Sequence, residues 1–342
     1  MRLLLAALLS LPPPQEADKI TLEKKGRFSV LVAELTRATG CRFKIQPGVE
    51  DKEVAVSVRD GGLFQALDAL CRAHGNAGYF DRLLGDDGEE HPEIPIHPVA
   101  WTEYPSAYRG AFKVAATHYV RQRLRTERGD RASTRVHLAL LAPPSIPLDS
   151  ERGAHLTWTF AEARDADGKD VLPAKDSAGP VQPMVSIYAG LDSGLNQEET
   201  SVRLHEFDLD RGLSLLKGDV SLTVPDTREI RIPLEPGREA PTPAGTLVVE
   251  SVKPHGDSEW RFLLKLKDAR PGATLADTIV DYGRLEHDFG WTRLEISPEE
   301  KTLEARAIFV REKPGWIKLY AREGERTIEI PFEIKGIRFP KK

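Results

Sequence analysis

Two amphipathic helical stripes of nearly equal length alternate with short β-patterned runs between residues 18 and 84, the most legible stretch of the chain. Ile20 and Leu22 alternate as a first strand. Phe28, Leu31, Val32, Leu35 and Ala38 then fall at i, i+3, i+4, i+7 and i+10, which draws one apolar stripe along a helix. Gly40 supplies its C-terminal stop. Cys41, Phe43 and Ile45 alternate as a second strand, Pro47-Gly48 turns the chain, and Val54, Val56 and Val58 form a third strand facing the same core. Asp60-Gly61-Gly62 leads into a second helix with the stripe Leu63, Ala66, Leu67, Leu70 and Cys71, stopped near Gly75, and a short strand is expected around Tyr79 and Phe80. The spacing predicts a compact βαββα module.

Two segments carry a family likeness: Phe28 to Pro47, a helix, Thr39-Gly40 and a strand ending in a Pro-bearing turn, and Leu63 to Gly75, with Ala66-Leu67-Asp68-Ala69-Leu70 inside the helix. On these residues the module resembles the short N-terminal domain of secretins and TonB-dependent receptors. That resemblance implies docking to a partner rather than catalysis. It covers residues 18–84 of 342. No long series of barrel strands ending in an aromatic residue follows, so neither a receptor nor a pore is expected. The chain is more similar to bacterial envelope proteins in which such a module precedes β-sandwich domains of unassigned role.

The first residues suggest a compartment. Arg2 and the apolar run Leu3 to Leu11 have the n-region and h-region of a secretory signal, broken by Pro12, Pro13 and Pro14, so residues 1–17 are expected to direct export to the periplasm or another extracytoplasmic space. No Cys follows the run to carry a lipid anchor, and no later segment is long and apolar enough to form a transmembrane helix. A chain of 342 residues accommodates two or three domains, and 40% hydrophobic with 30% charged residues fits ordinary globular folding. The net charge of −5 argues against a general nucleic-acid binder, and the basic run Arg121 to Arg128 reads as a solvated strand face.

Cys41 and Cys71 are the only cysteines, on a strand and a helix of the module. In an oxidising compartment they form a candidate disulfide, and otherwise they are two thiols packed as small apolar residues. Their place on apolar stripes disfavours a catalytic thiol. Residues 85–104, with the acidic run Gly85 to Glu90 and three prolines between His91 and Pro98, read as a linker. His91, Glu93 and His97 have metal-ligand chemistry, but the prolines deny them a shared helical face.

From Tyr104 onward short β-rich runs separated by turn residues predict antiparallel sandwiches. Phe112 to Val120, Val136 to Leu141, Leu156 to Phe160, Val185 to Tyr188, Ser201 to Phe207, Val220 to Val224 and Glu229 to Ile232 are the expected strands of a domain over 105–236. Thr246 to Ser251, Trp260 to Leu266, Thr278 to Asp281, Trp291 to Ser297, Thr302 to Val310, Trp316 to Ala321 and Glu325 to Ile330 make a second over 244–339. The expected fold is therefore mainly β: a small α+β module followed by two immunoglobulin-like sandwiches. A weak echo links Val220–Ile232 with Leu319–Ile334, each a strand, a charged turn and a second strand, expected to close one sandwich apiece.

Chemistry-bearing clusters are sparse. Asp165, Asp167, Gly168 and Asp170 open like a calcium loop without the later bidentate Glu, and His205 would face away from Glu206, Asp208 and Asp210 along a strand. No nucleophile elbow, phosphate loop or zinc-helix motif is present, and Glu299-Glu300 lies in a turn-like Ser-Pro-Glu-Glu-Lys. These residues point to a non-enzymatic binding protein, without cofactor or metal, that docks an envelope protein or cell-wall component through its module. The alternative is carbohydrate binding on a platform built from Trp158, Trp260, Trp291 or Trp316, and a hydrolase ranks below both.

Overall fold

The computed structural model describes residues 19–79, 93–126, 129–146, 148, 154–173, 197–255, 259–269, 279–285, 292–297, 302–308 and 313–338; at 122–126, 129–132, 279–285, 292–297, 303 and 305–308 it describes the backbone alone. The expected signal at 1–17, the strand at Val185–Tyr188, His91 and Trp291 lie outside these residues. The protein is mainly β, with helices only in its N-terminal module among the described residues.

That module begins with β1 (Ile20–Arg27), α1 (Phe28–Thr39), β2 (Arg42–Ile45), β3 (Glu53–Gly61) and α2 (Leu63–His74). Both helices stop where glycine takes a positive φ, Gly40 at 68° with its N–H donating to Thr36 O and Gly75 at 80° with its N–H donating to Cys71 O. Strand β1 pairs antiparallel with β3, and the stripes of α1 and α2 pack with Val54, Val56 and Val58 into one core. Part of the expected linker belongs to this unit. Residues Glu93–Ile96 form β4, paired parallel with β2, and Ile94 and Ile96 are buried in the module core. Pro95 is tolerated because each strand of this two-stranded sheet is an edge strand there.

The module sits on a four-stranded sheet of order β5 (Ser106–Arg109), β6 (Phe112–Thr126), β7 (Gly129–Leu141) and β9 (Gln197–Leu204). In β7, Val136, Leu138 and Leu140 face a large second core, whereas Ala139 and Leu141 join the module core. Burial of both faces explains the unbroken apolar run Leu138 to Ala142. The contact is tight at the backbone: a Cβ on Gly62, at the start of α2, would stand 1.9 Å from Gly110 O in the β5–β6 turn. Gly62→Ala is therefore expected to destabilise the protein by about 1–3 kcal/mol. Gly324→Ala, whose Cβ meets only Asp226 Oδ2 at 3.7 Å, is the control expected to change little in urea denaturation.

Against the other face of the four-stranded sheet lie β8 (His155–Asp165), β10 (Leu213–Pro233) and β17 (Trp316–Ile337), at one end of a nine-stranded sheet. Its order continues from β17 through β14 (Ile279–Leu285), β15 (Thr292–Ser297), β16 (Thr302–Ile308), β13 (Glu259–Lys267) and β12 (Gly245–Pro254) to β11 (Glu239–Thr242). Residues of β11, β12 and β13 at the far end share a third core with Ile230, Ile232, Ile317 and Leu319 of β10 and β17. The sheet thus curls so that strands from its two ends pack together.

Strands β10 and β17 each run through both of these cores. Val220↔Ile330 and Ile232↔Ile317 are register partners in one antiparallel ribbon. The two segments of the sequence echo are consequently neighbours, not the closing strands of separate sandwiches. Their expected internal turns are instead an exposed waist at Asp226–Glu229 and Glu323–Thr327, where a register shift lies between Asp226 and Thr227. Beyond the waist, Ile328, Ile330, Phe332, Ile334 and Ile337 pack in the first of the two cores, so the expected boundary between 236 and 244 does not divide the β-region. Antiparallel pairing satisfies the backbone across the waist, which lets the strands continue where local residues favour a turn.

Candidate docking groove and its buried anchor

Helix α1 returns along β1, and a groove of about 390 Å³ lies between them. Buried Ile20, Leu22 and Leu35 contribute its apolar lining, joined by Thr21 and by Ala38. Ala38, the last residue of the helix stripe, is exposed rather than packed, so the stripe outruns the core. Lys24 and Glu34 pair at 2.9 Å across the groove, and Arg37 makes no ion pair among the described residues. Val30, 50% exposed, shares the helix face of Glu34 and Arg37 by its spacing. Strand β1 hydrogen-bonds only β3 among the described strands, leaving it an open edge.

Behind this module, a charged side chain rises from the middle of the four-stranded sheet. Lys113 is 1% exposed and places its ammonium 2.7 Å and 3.0 Å from the two carboxylate oxygens of Asp68 on α2. Tyr79 and Tyr108 also donate to Asp68, one to each oxygen, and Lys113 donates to Tyr79 Oη at 3.1 Å. Trp101 lies 5.9 Å from the ammonium, with its indole Nε1 buried and without a hydrogen-bond partner among the described residues. Around this network Arg72 and Glu103 pair at the exposed rim. Burial and bonding of both charges make the network an anchor between module and sheet.

Electrostatics at the anchor give an alkaline limit. Burial raises the Cys71 thiol above its ordinary 9.0, and burial with the adjacent Asp68 charge raises Tyr79 and Tyr108 above their ordinary 10.0. Burial lowers the Lys113 ammonium, with Asp68 opposing that shift. A raised folded pKa contributes stability that is lost as pH rises past the unfolded value, whereas lowered Lys113 contributes in the opposite direction below 10.5. Between 9.0 and 10.0 Cys71 and Lys113 oppose each other, and above 10.0 the two tyrosines join Cys71 and outweigh Lys113, so stability is expected to fall as pH rises above 10.0. Absorbance titration should show the tyrosinate signal of Tyr79 and Tyr108 appearing only with unfolding.

Other sequence candidates resolve into local structure. Cys41 is half-buried, Cys71 is buried near Asp68 and Lys113, and the structure holds both as thiols, so the candidate disulfide is not formed in it. Asp165 Oδ1 accepts the amides of Asp167 and Lys169, and Asp167 forms a two-pronged pair with Arg211 at 2.6 Å and 2.7 Å. The acidic hairpin therefore spends its oxygens on its own turn and on a cation. Glu206 pairs with Arg121 beside an open dent of about 590 Å³, Asp208 accepts the Asp210 amide, and the His205 amide donates to Val171 O. Glu93 and His97 bracket β4. Among the described residues no three His, Cys, Asp or Glu side chains gather as metal ligands.

The three described tryptophans of the sugar-platform reading do not share an exposed face. Trp158 packs half-buried on the first β core, Trp260 on the second, and Trp316 turns outward beneath Arg231, 4.0 Å from its ring centre. The anchor was missed in the sequence. Its signals were a lone lysine inside the apolar run Phe112–Ala116 and a lone aspartate between Leu67 and Leu70. No family model, curated protein or solved structure matches the chain. No helix among the described residues is long and apolar enough to cross a membrane.

Proposed function

We propose that this chain is a non-enzymatic binding protein of the bacterial envelope, acting outside the cytoplasm, whose N-terminal module docks an extended segment of a protein partner along the β1 edge. The observation that carries this reading is the groove itself: a strand edge unpaired among the described residues, an apolar lining ending in exposed Ala38, and charged Arg37 beside it. A strand added to β1 gains backbone hydrogen bonds, and its alternate side chains reach the lining between β1 and α1. The resemblance of residues 18–84 to the short secretin and TonB-receptor domain supports the same reading, as does the apolar run Leu3–Leu11 for export. The packing of two sheets over the first β core supports an immunoglobulin-like description of that region.

The test is site-specific photo-crosslinking in intact cells from Ala38, with the exposed Lys217 on β10 as control. One protein adduct formed from Ala38, absent from Lys217 and diminished at least tenfold by Arg37→Glu, is the expected result. Equal labelling from both sites, or capture of polysaccharide alone, would sink the docking reading.

A further inference from the structure

Most strand edges among the described residues carry a device that discourages pairing. Apart from β1, the edge of the proposed docking groove, β3 has Glu53, Arg59 and Asp60, and β9 has Glu198, Glu199 and Arg203. Strands β2, β4, β5 and β11 are four residues long, and Pro95 and Pro241 lie in two of them. Strand β8 differs. From His155 to Ala161 it contains no Lys, Arg, Asp, Glu, Pro or Gly, and it is the outermost strand of the nine-stranded sheet.

Past that stretch the edge is closed. The Val171 amide donates to Ala163 O and Val171 O accepts the His205 amide, which joins the end of β8 to the chain leaving β9. A shift in the pairing with β10 leaves Ala161 without a register partner and ends the regular segment. Among the described residues, what stays open is therefore short and bounded.

Its side chains divide by face. Leu156, Trp158 and Phe160 point toward the first β core but are only half-buried, with Trp158 and Phe160 each at about 6 Å from the ring of Phe332. Thr157 and Thr159 are exposed on the opposite face. An antiparallel twofold centred on Trp158 sets Leu156 opposite Phe160 of the second copy and Thr157 opposite Thr159. All three apolar residues then line up with their counterparts on one face, Thr–Thr pairs form on the other, and no charge opposes a like charge.

We propose that β8 is a self-association edge, through which two copies of this chain join their nine-stranded sheets in antiparallel register about Trp158. The uncharged, self-complementary edge selects a second copy over a charged foreign strand.

Sedimentation equilibrium of the full chain tests it. Wild type is expected at twice the chain mass. Thr157→Lys with Thr159→Lys places like charges opposite each other and is expected to give monomer, with the circular dichroism spectrum unchanged because both sites are exposed. Thr157→Lys with Thr159→Glu restores opposite charges in this register alone and is expected to recover the dimer. A monomeric wild type overturns the proposal, as does a double-lysine variant that stays dimeric. If the variant combining Thr157→Lys with Thr159→Glu is monomeric, the register about Trp158 is overturned.

Discussion

A chain ending at Arg326 is expected to lose the fold of a core begun more than two hundred residues earlier in the sequence, where Phe112 enters it. The truncation removes Ile328, Ile330, Phe332, Ile334 and Ile337, none more than 4% exposed. At about 1.5–3 kcal/mol for each large apolar side chain, the lost burial is comparable with the whole stability of an ordinary domain, about 5–15 kcal/mol. Leu216, Val220 and Leu222 of β10 would also lose a strand neighbour. Limited proteolysis should then cut within residues 112–224 more readily than within 245–321, whose core keeps Ile317, Leu319 and Ala321. A truncated chain that keeps a protected 112–224 fragment would mean the first core closes without β17.

The second large effect is at the anchor. Lys113→Met leaves Asp68 buried with two tyrosine donors and no cation, and is expected to cost about 3–5 kcal/mol; Asp68→Leu strands the ammonium and should cost as much. Together the two changes are expected to cost far less than their sum, because neither charge is left buried alone. Urea denaturation of the full chain measures all three. Additive losses would show that the residues act separately, and that the network is not what holds α2 to β6.

Local rules made the module legible and long-range rules hid the rest. Residues 28–38 and 63–71 carry a period near 3.6 and end at Gly40 and Gly75, so each helix is specified within its own dozen residues. Strand β4 was not legible because its three-proline neighbourhood has linker composition; its burial comes from β2, about fifty residues away along the chain. At Pro225-Asp226 and Glu323-Gly324 turn chemistry pointed to hairpins, whereas pairing between β10 and β17 carries both strands straight on. Of the site, Ile20, Leu22 and Leu35 were legible as core, but the gap that exposes Ala38 follows from how α1 meets β1. Lys113 and Asp68 were each visible as an oddity, and only tertiary structure brings them together.

The ribbon of β10 and β17 also orders events during synthesis. Chain growth delivers the module and most of the first β core early, yet the strand that completes that core leaves the ribosome more than one hundred residues after its partner in β10. Loop closure over such separations is slow, and an unfinished sheet edge invites pairing with other chains in the interval. Pairing at Val220↔Ile330 spans a gap of more than one hundred residues, which the intervening third core shortens once it has formed. The distal core is thus expected to fold first and hand its neighbour the finishing strand, so the order of folding runs against the order of the sequence.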